Sequence, residues 1–499
     1  TTRGKNAMRL RQVLSLGRNT EGGDPLMDLR PVWMASPETV AQIFPREAVF
    51  DVVIFDEASQ CRLEEALPVL TRAKRVVIAG DPKQLPPTRF FESAVAQSEA
   101  TTIENDEELF EAQQSEVEDL LTGALSLDIE QSYLDVHYRS HNADLIEFSN
   151  AHFYGSRLQA IPGHPSRRAI LPPLTLYAAG GTYEDRTNDK EAQQVVRIIR
   201  DLLKRAEPPS IGVGCFNIAQ RDLITEKLDE LAGEDAAFAR SLASARERRS
   251  NGAYEGLFVK NLENVQGDER DHIIISTTYG PDPKGKFYRR FGPLAMPGGG
   301  RRLNVLVTRA RIEVHLVTSI PREVYTALPP VPEGSTPGGG WLLFAYLKFA
   351  EDLAEAYKQQ SEARDVEDTG VGGEGAAFLP PIDTVIASTK APSSFAIQLG
   401  TALHEAKGIG SIVHWGNDGF CVDVAVRHPK RAEDVTVGVL CDFARFGLAP
   451  DPVEWDIFRT GVLAASGWTL KRVWSPVFFR DAAGQTEAIV KSALELAKR

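Results

Sequence analysis

Short apolar runs that each close on a polar or glycine residue recur through the first two thirds of the chain, and they predict buried strands of a parallel sheet. Val52-Val53-Ile54-Phe55 runs into Asp56-Glu57, and Arg75-Val76-Val77-Ile78-Ala79 runs into Gly80-Asp81-Pro82. Ile211 to Phe216, His272 to Ser276 and Val314 to Thr318 repeat the pattern. Apolar positions at helical spacing lie between them, from Ala219 to Leu231 and in a helix over Leu145, Ile146 and Phe148. Pro31 to Ala35 reads as a further strand, turning at Ser36-Pro37 into a short helix from Glu38 to Ile43. Beyond residue 390 the pattern changes. A helix over Ser393 to Glu405 precedes strands at Ser411 to Trp415, Phe420 to Val426 and Val435 to Cys441, a helix over Val453 to Ala465, and a strand at Leu470 to Trp474.

Carboxylates at the C-terminal end of a parallel strand stand where open α/β sheets bind ligands. Asp56 there is suited to holding Mg2+ through water, and Glu57 to polarising an attacking water. Gln84, on the turn after the next strand, is a neutral amide suited to sensing a γ-phosphate.

These segments resemble a known family. Asp56-Glu57-Ala58-Ser59-Gln60 and Gly80-Asp81-Pro82-Lys83-Gln84-Leu85-Pro86-Pro87 resemble motifs II and III of superfamily 1 helicases, in the branch of the RNA-decay and senataxin-like enzymes. Further motifs follow in the family's order: His137-Tyr138-Arg139-Ser140-His141, Val265-Gln266-Gly267-Asp268-Glu269, and Arg301 to Arg311. The resemblance implies two RecA-like α/β domains, the first incomplete over residues 1–131 and the second over 132–330, and an ATP-driven helicase or translocase with 5′-to-3′ polarity. It implies ATP and Mg2+ as cofactors and single-stranded DNA as a partner.

It also assigns residues. Arg139 and Arg309 would stabilise γ-phosphate charge when a second domain closes, Gln266, Gly267 and Glu269 would couple nucleotide to strand, and Ser36 would lie near strand phosphates. Ser36 as a plain helix cap, and Arg309 or Arg311 as surface ion-pair partners, are the alternatives. Ser276 and Thr277, closing their strand, are expected to place hydroxyls near a phosphate backbone.

Pro332 to Gly340 reads as a linker or loop, Trp341 to about Tyr357 as a helix packed on the second domain, and 358–380 as a longer acidic, Gly-rich linker, which makes 331–390 a connecting region. The α-β-β-β-α-β order of 391–499 predicts a small restriction-endonuclease-like α/β domain. Gly419 to Val426, Gly438 to Asp442 and Ser466 to Ser475 resemble the very-short-patch-repair-like nuclease found at the end of large bacterial helicases. Asp423 and Asp442 are its candidate metal ligands, but Leu440 and Phe443 stand where that family has an acid and a glycine. An active nuclease and a degenerate DNA-binding or docking module both remain open.

Composition adds limits. Net charge is −13, which argues against coating nucleic acid by bulk electrostatics but not against a locally basic channel. Residues 97–131 hold an acidic stretch, Glu104 to Asp119 among it, with no catalytic assignment, and the four cysteines are too scattered for a disulfide framework or a zinc site. No apolar run reaches membrane length, so a cytoplasmic protein is expected. The phosphate cradle GxxxxGK[ST] is absent, with Gly4-Lys5-Asn6 lacking the hydroxyl. A preceding part of the same protein is therefore expected as partner, together with defence or repair proteins. The alternative is a non-catalytic binding or regulatory protein with inactive motor and nuclease.

Overall fold

The computed structural model describes residues 10–17, 24–85, 119–134, 136–161, 163–164, 172–250, 252–296, 298–331, 336–368, 393–415, 421–428, 435–442, 457 and 459–497. Pro86, Pro87, most of the acidic run and Phe443 lie outside them. The chain divides into two compact units, Thr1–Tyr133 and Leu134–Arg499.

In the first unit, β1 (Phe50–Phe55) and β2 (Ala73–Ile78) pair in parallel, with Val53 opposite Val76 and Phe55 opposite Ile78. Phe55, Ala58, Ala66, Val69, Leu120 and Leu121 form a small core that takes in the helices Leu63–Leu70 and Leu120–Leu125. The expectation of strands buried on both faces is corrected here. Ile54 is 67% exposed, and Val52, Val76 and Val77 are exposed as well. Val52, Ile54 and Val77 share the face that the described residues leave uncovered, while Val76 is exposed on the other face, beside Val53. Residues 31–35, expected as a strand, have no regular structure, although the helix Pro37–Ile43 forms as read.

The second unit opens with a short parallel pair, β3 (Val136–His137) and β4 (Gln159–Ala160). Its centre is a parallel sheet of β5 (Leu174–Ala178), β6 (Ile211–Cys215), β9 (Phe258–Asn261), β10 (Arg270–Ser276) and β11 (Ala310–Thr318), with a small hairpin of β7 (Arg249–Ser250) and β8 (Ala253–Tyr254) between β6 and β9. The order across it is β5-β11-β10-β6-β9. Side-chain alternation divides the core. Ile273 and Ile275 pack with Leu145, Phe148, Leu303, Leu306 and Leu343, whereas Ile274 packs with Val195, Ile199, Ile224 and Leu242. Helices cover both faces, so the apolar runs of β6, β10 and β11 are buried nearly throughout.

The helix that begins at Gly339 continues to Asp368, so the second linker begins later than its composition suggests. Tyr357 fastens it, donating to Asp144 Oδ2 (2.6 Å) and accepting from Asn142 Nδ2 (3.1 Å).

The last sheet runs β12 (Ser411–Trp415), β13 (Val422–Arg427), β14 (Val435–Cys441), β15 (Thr469–Val473); its first two pairings are antiparallel and the last is parallel. The helices Ser394–Lys407 and Ala482–Leu496 share one core with Val424, Val437 and Val439. Trp415, Val422, Leu463 and Trp468 form a second core, against which Ile161 packs. Beside it, His164 donates its amide to Ser466 O (3.0 Å), lies 3.2 Å from Thr436 O through Nε2, and meets the Trp468 ring edge-on at 4.8 Å. The segment after β4 thus fastens this sheet to the rest of the unit. No helix among the described residues is long and apolar enough to cross a membrane.

Candidate functional site

Hydrogen bonds stitch the ends of β1 and β2 into one ledge: Ala79 N donates to Phe55 O, and Ala58 N to Ala79 O, both at 2.8 Å. Asp56 and Glu57 emerge on it with exposed side chains. Glu57 has φ 53° and ψ 42°, left-handed values that a residue with a Cβ rarely adopts. Its amide donates to Asp56 Oδ1 (3.0 Å) and its Oε2 accepts from Gln60 (3.2 Å). On the neighbouring turn, Asp81 accepts from Lys83 N (2.8 Å) and from Gln84 Nε2 (3.1 Å), which orients the amide. A Cβ on Gly80 would meet Leu121 Cδ2 at 3.0 Å and Ser59 N at 3.1 Å, so the glycine lets this turn pack tightly. Hard carboxylate oxygens at this ledge suit Mg2+ by donor chemistry. Ser36 is an exposed N-cap whose Oγ accepts from Thr39 N at 3.3 Å.

In the second unit, the sequence-predicted residues gather where β10 and β11 begin. Arg139 Nε lies 2.5 Å from Glu269 Oε1, both side chains about one-third exposed. Gly267 turns the preceding loop with φ 81°, and Lys260 pairs with Asp268 beside it. His137, two residues before Arg139, is held near pKa 4 by burial and then by the Arg139 charge. Arg309 is buried: Nε donates to Val305 O at 2.7 Å and a terminal nitrogen lies 3.4 Å from Thr308 Oγ1. These bonds leave further N–H donors on the guanidinium, but its burial keeps them from solvent as the chain stands. Arg311 is an ion-pair residue, held by Glu255 (2.8 Å) and Asp271 (3.0 Å).

Ser276 and Thr277 do not face solvent, and the expectation that they meet a phosphate backbone is corrected. Both are fully buried and turn their hydroxyls to Glu191, at 2.7 Å and 3.3 Å. Thr278 N also donates to Glu191, at 2.7 Å. Burial pushes the Glu191 carboxyl up to about 7, against the pull of those donors. Sequence reading missed Glu191, which stands in the first turn of a helix where acids are commonplace.

Two other groups were missed. His272, Glu313 and His315 are the one set of three or more metal-ligating side chains that come together among the described residues. His272 Nδ1 and His315 Nε2 are 3.0 Å apart, Tyr177 Oη is 3.3 Å from His315 Nδ1, and Thr175 donates to Glu313 (3.2 Å). Burial lowers the two imidazoles to about 4 and about 3, so they stand neutral, as a hydrogen-bonded tie across β10, β11 and β5. The second group is basic and aromatic, Lys284 to Phe291, and its signal was plain: Lys-Gly-Lys-Phe-Tyr-Arg-Arg-Phe in an acidic chain.

In the last sheet, Asp423 is buried and accepts from Cys441 N (2.8 Å), with Arg459 3.5 Å away. Asp442 accepts from Ser475 N (2.9 Å) and Ser475 Oγ (3.0 Å), capping the helix Ser475–Arg480. Both carboxylates are engaged by protein donors, which gives Asp423 and Asp442 a structural part in this sheet; their oxygens keep lone pairs beyond these bonds.

Comparison with known proteins adds relatives. Two family models described as AAA domain match residues 38–92 and 106–320, and one described as REase_MTES_1575 matches 395–493. The chain is 34% identical over 333 residues to the uncharacterized ATP-dependent helicase MG140 of Mycoplasma genitalium, covering 66% of this chain and 28% of that protein. Its Mycoplasma pneumoniae homolog is 35% identical over 351 residues, 69% and 29% of the two chains. Helicase SEN1 of Saccharomyces cerevisiae is 26% identical over 282 residues, 53% and 11%. The chain thus spans less than a third of the length of these relatives.

Proposed function

Because the chain belongs to the Sen1- and senataxin-like superfamily 1 helicases and carries a restriction-endonuclease-like domain near its end, we propose that it forms part of an ATP-driven translocase on nucleic acid. The observation that carries this reading is the ledge of β1 and β2. Two adjacent exposed carboxylates, one on strained backbone, stand beside an amide that Asp81 orients. In the proposed reaction Asp56 would hold Mg2+, Glu57 takes a proton from the attacking water, and Gln84 senses the γ-phosphate. Bound Mg2+ supplies neutralisation of phosphate charge. Arg139 stabilises the charge that develops as the phosphoryl group transfers, and Glu269 positions its guanidinium.

We assign the phosphate cradle to chain beyond these 499 residues, since no GxxxxGK[ST] occurs within them. The exposed apolar side chains of Val52, Ile54 and Val77, which share one face of the pair, support that assignment, because a sheet with such a face packs against more structure. Single-stranded DNA, travelled 5′ to 3′, is the proposed substrate; the nuclease-like domain supports DNA, and the polarity follows the senataxin-like branch. The setting we propose is bacterial DNA metabolism or defence. The occupied carboxylates of Asp423 and Asp442 favour a nuclease-like domain that docks without cutting.

The test is strand-stimulated ATP hydrolysis by the protein that joins these residues to a phosphate cradle. Arg139→Ala should lower kcat by roughly 10³-fold, the scale of a transition-state arginine. Unchanged turnover would remove Arg139 from the reaction.

A further inference from the structure

At the end of β10, beyond the buried Ser276 and Thr277, the surface is built from different residues. Tyr183, Tyr279, Gly280, Asp282, Tyr288 and Arg290 line a cavity of about 220 Å³. Two loops make it, one after β5 and one after β10, tied by Tyr183 N donating to Pro281 O at 2.8 Å. Tyr279 is 5% exposed and forms the floor, its ring 5.5 Å from Tyr183 and 5.2 Å from Phe291. Phe291 packs edge-on against Phe344 at 5.2 Å, so the floor is anchored in the core. Tyr288 is 47% exposed at the mouth, with Lys286 Nζ 4.7 Å from its ring centre.

The electrostatics of this loop differ from those of the rest of the chain. Asp282 is used to fold the loop: its Oδ1 accepts from Lys284 N (2.9 Å) and Lys286 N (2.8 Å). From there to Phe291 the loop holds four Lys or Arg and no acid, within a chain of net charge −13. Lys284, Lys286, Arg289 and Arg290 all have exposed side chains. Rigid aromatic faces beside exposed cations match what an unpaired nucleotide presents, a planar base and a phosphate. An acidic peptide would use the cations and leave the aromatic walls unfilled.

The geometry points to a base-stacking subsite for single-stranded nucleic acid, in which one unpaired base enters between Tyr183 and Tyr288 over Tyr279 while Arg290 and Lys284 meet the flanking phosphates. This subsite rests on the nucleic-acid reading above and adds to it a place where the strand is held by a base as well as by its backbone.

The experiment compares binding of the 499-residue chain to a fluorescein-labelled oligo(dA) and to an abasic oligomer of equal length and charge, by anisotropy across a salt series. The oligo(dA) should bind at least about 5-fold tighter, the scale of one base–aromatic stack. Tyr288→Ala should abolish that preference, and Tyr288→Phe should keep it. Arg290→Ala should weaken both oligomers equally and reduce the salt slope by about one. Tyr288 is half exposed, and an unchanged melting temperature will show that the variant is folded. A base preference that survives Tyr288→Ala would overturn the subsite and leave the nucleic-acid reading standing. Failure to bind either oligomer would overturn both.

Discussion

Replacing Ser276 by Ala separates a structural from a strand-binding role for the end of β10. The Ser276 hydroxyl donates to Glu191 Oε2 at 2.7 Å and accepts from Gln220 Nε2 at 3.2 Å, all three side chains being fully buried. Gln220 keeps its bond to Asn188 O (3.0 Å), so the loss falls mainly on Glu191. A buried hydrogen bond to an acid contributes about 1.5–3 kcal/mol, and Ser276→Ala should therefore cost about 2 kcal/mol. For a unit of this size that lowers Tm by roughly 3 °C. With one donor gone, the Glu191 carboxyl, already raised to about 7, should move further up. Urea and thermal melts followed by circular dichroism give the stability, and anisotropy with a single strand gives the affinity. A loss of affinity beyond about 5-fold at unchanged Tm would refute the reasoning and restore Ser276 as a strand contact.

The neutral pair His272 and His315 predicts acid lability. Their folded pKa values, about 4 and about 3, lie below the ordinary value of 6.5, so the unfolded chain takes up protons first as pH falls. Stability is complete above pH 6.5 and declines below it by about 1.4 kcal/mol per pH unit for each histidine. Glu191, with its raised pKa, acts in the opposite sense between its ordinary value and about pH 7. Urea melts at pH 7 and pH 5 should show a smaller loss in His272→Gln/His315→Gln than in the parent, and equal losses would contradict the assignment. In the last sheet, Asp423→Ala leaves the buried Arg459 without that carboxylate and should destabilise the domain by about 3 kcal/mol. If urea melts show no loss, the structural role given to Asp423 is wrong.

Parts of this fold are legible in the sequence because one physical rule dominates them. Strands β6, β10 and β11 each hold an apolar stretch buried on both faces of the sheet, Ile273-Ile274-Ile275 in β10 being the clearest, and such stretches persist where both faces are covered. The same rule fails at β1 and β2, whose runs are equally apolar but whose second face is open among the described residues. Hydroxyls at strand ends were misread for another reason. Nothing local announces that Glu191, some 85 residues earlier, turns back beneath Ser276. Arg139 and Glu269 could each be read as functional from their motifs, but their ion pair is a product of the fold. Asp423 shows the converse: its strand position suggested a metal ligand, and only the approach of Arg459 and Cys441 N reveals that its oxygens are engaged. The basic and aromatic loop was legible throughout, yet it lay between two family motifs that drew attention to themselves.

Hydrolysis of ATP by the Glu57→Gln variant, in the protein that joins these residues to a phosphate cradle, tests the central claim most directly. Glu57 is exposed and bonded to Gln60, so the amide should be accommodated without loss of fold. With Glu57 as the base, strand-stimulated turnover should fall by at least about 10²-fold while nucleotide binding persists. Turnover near the parental rate would contradict the account.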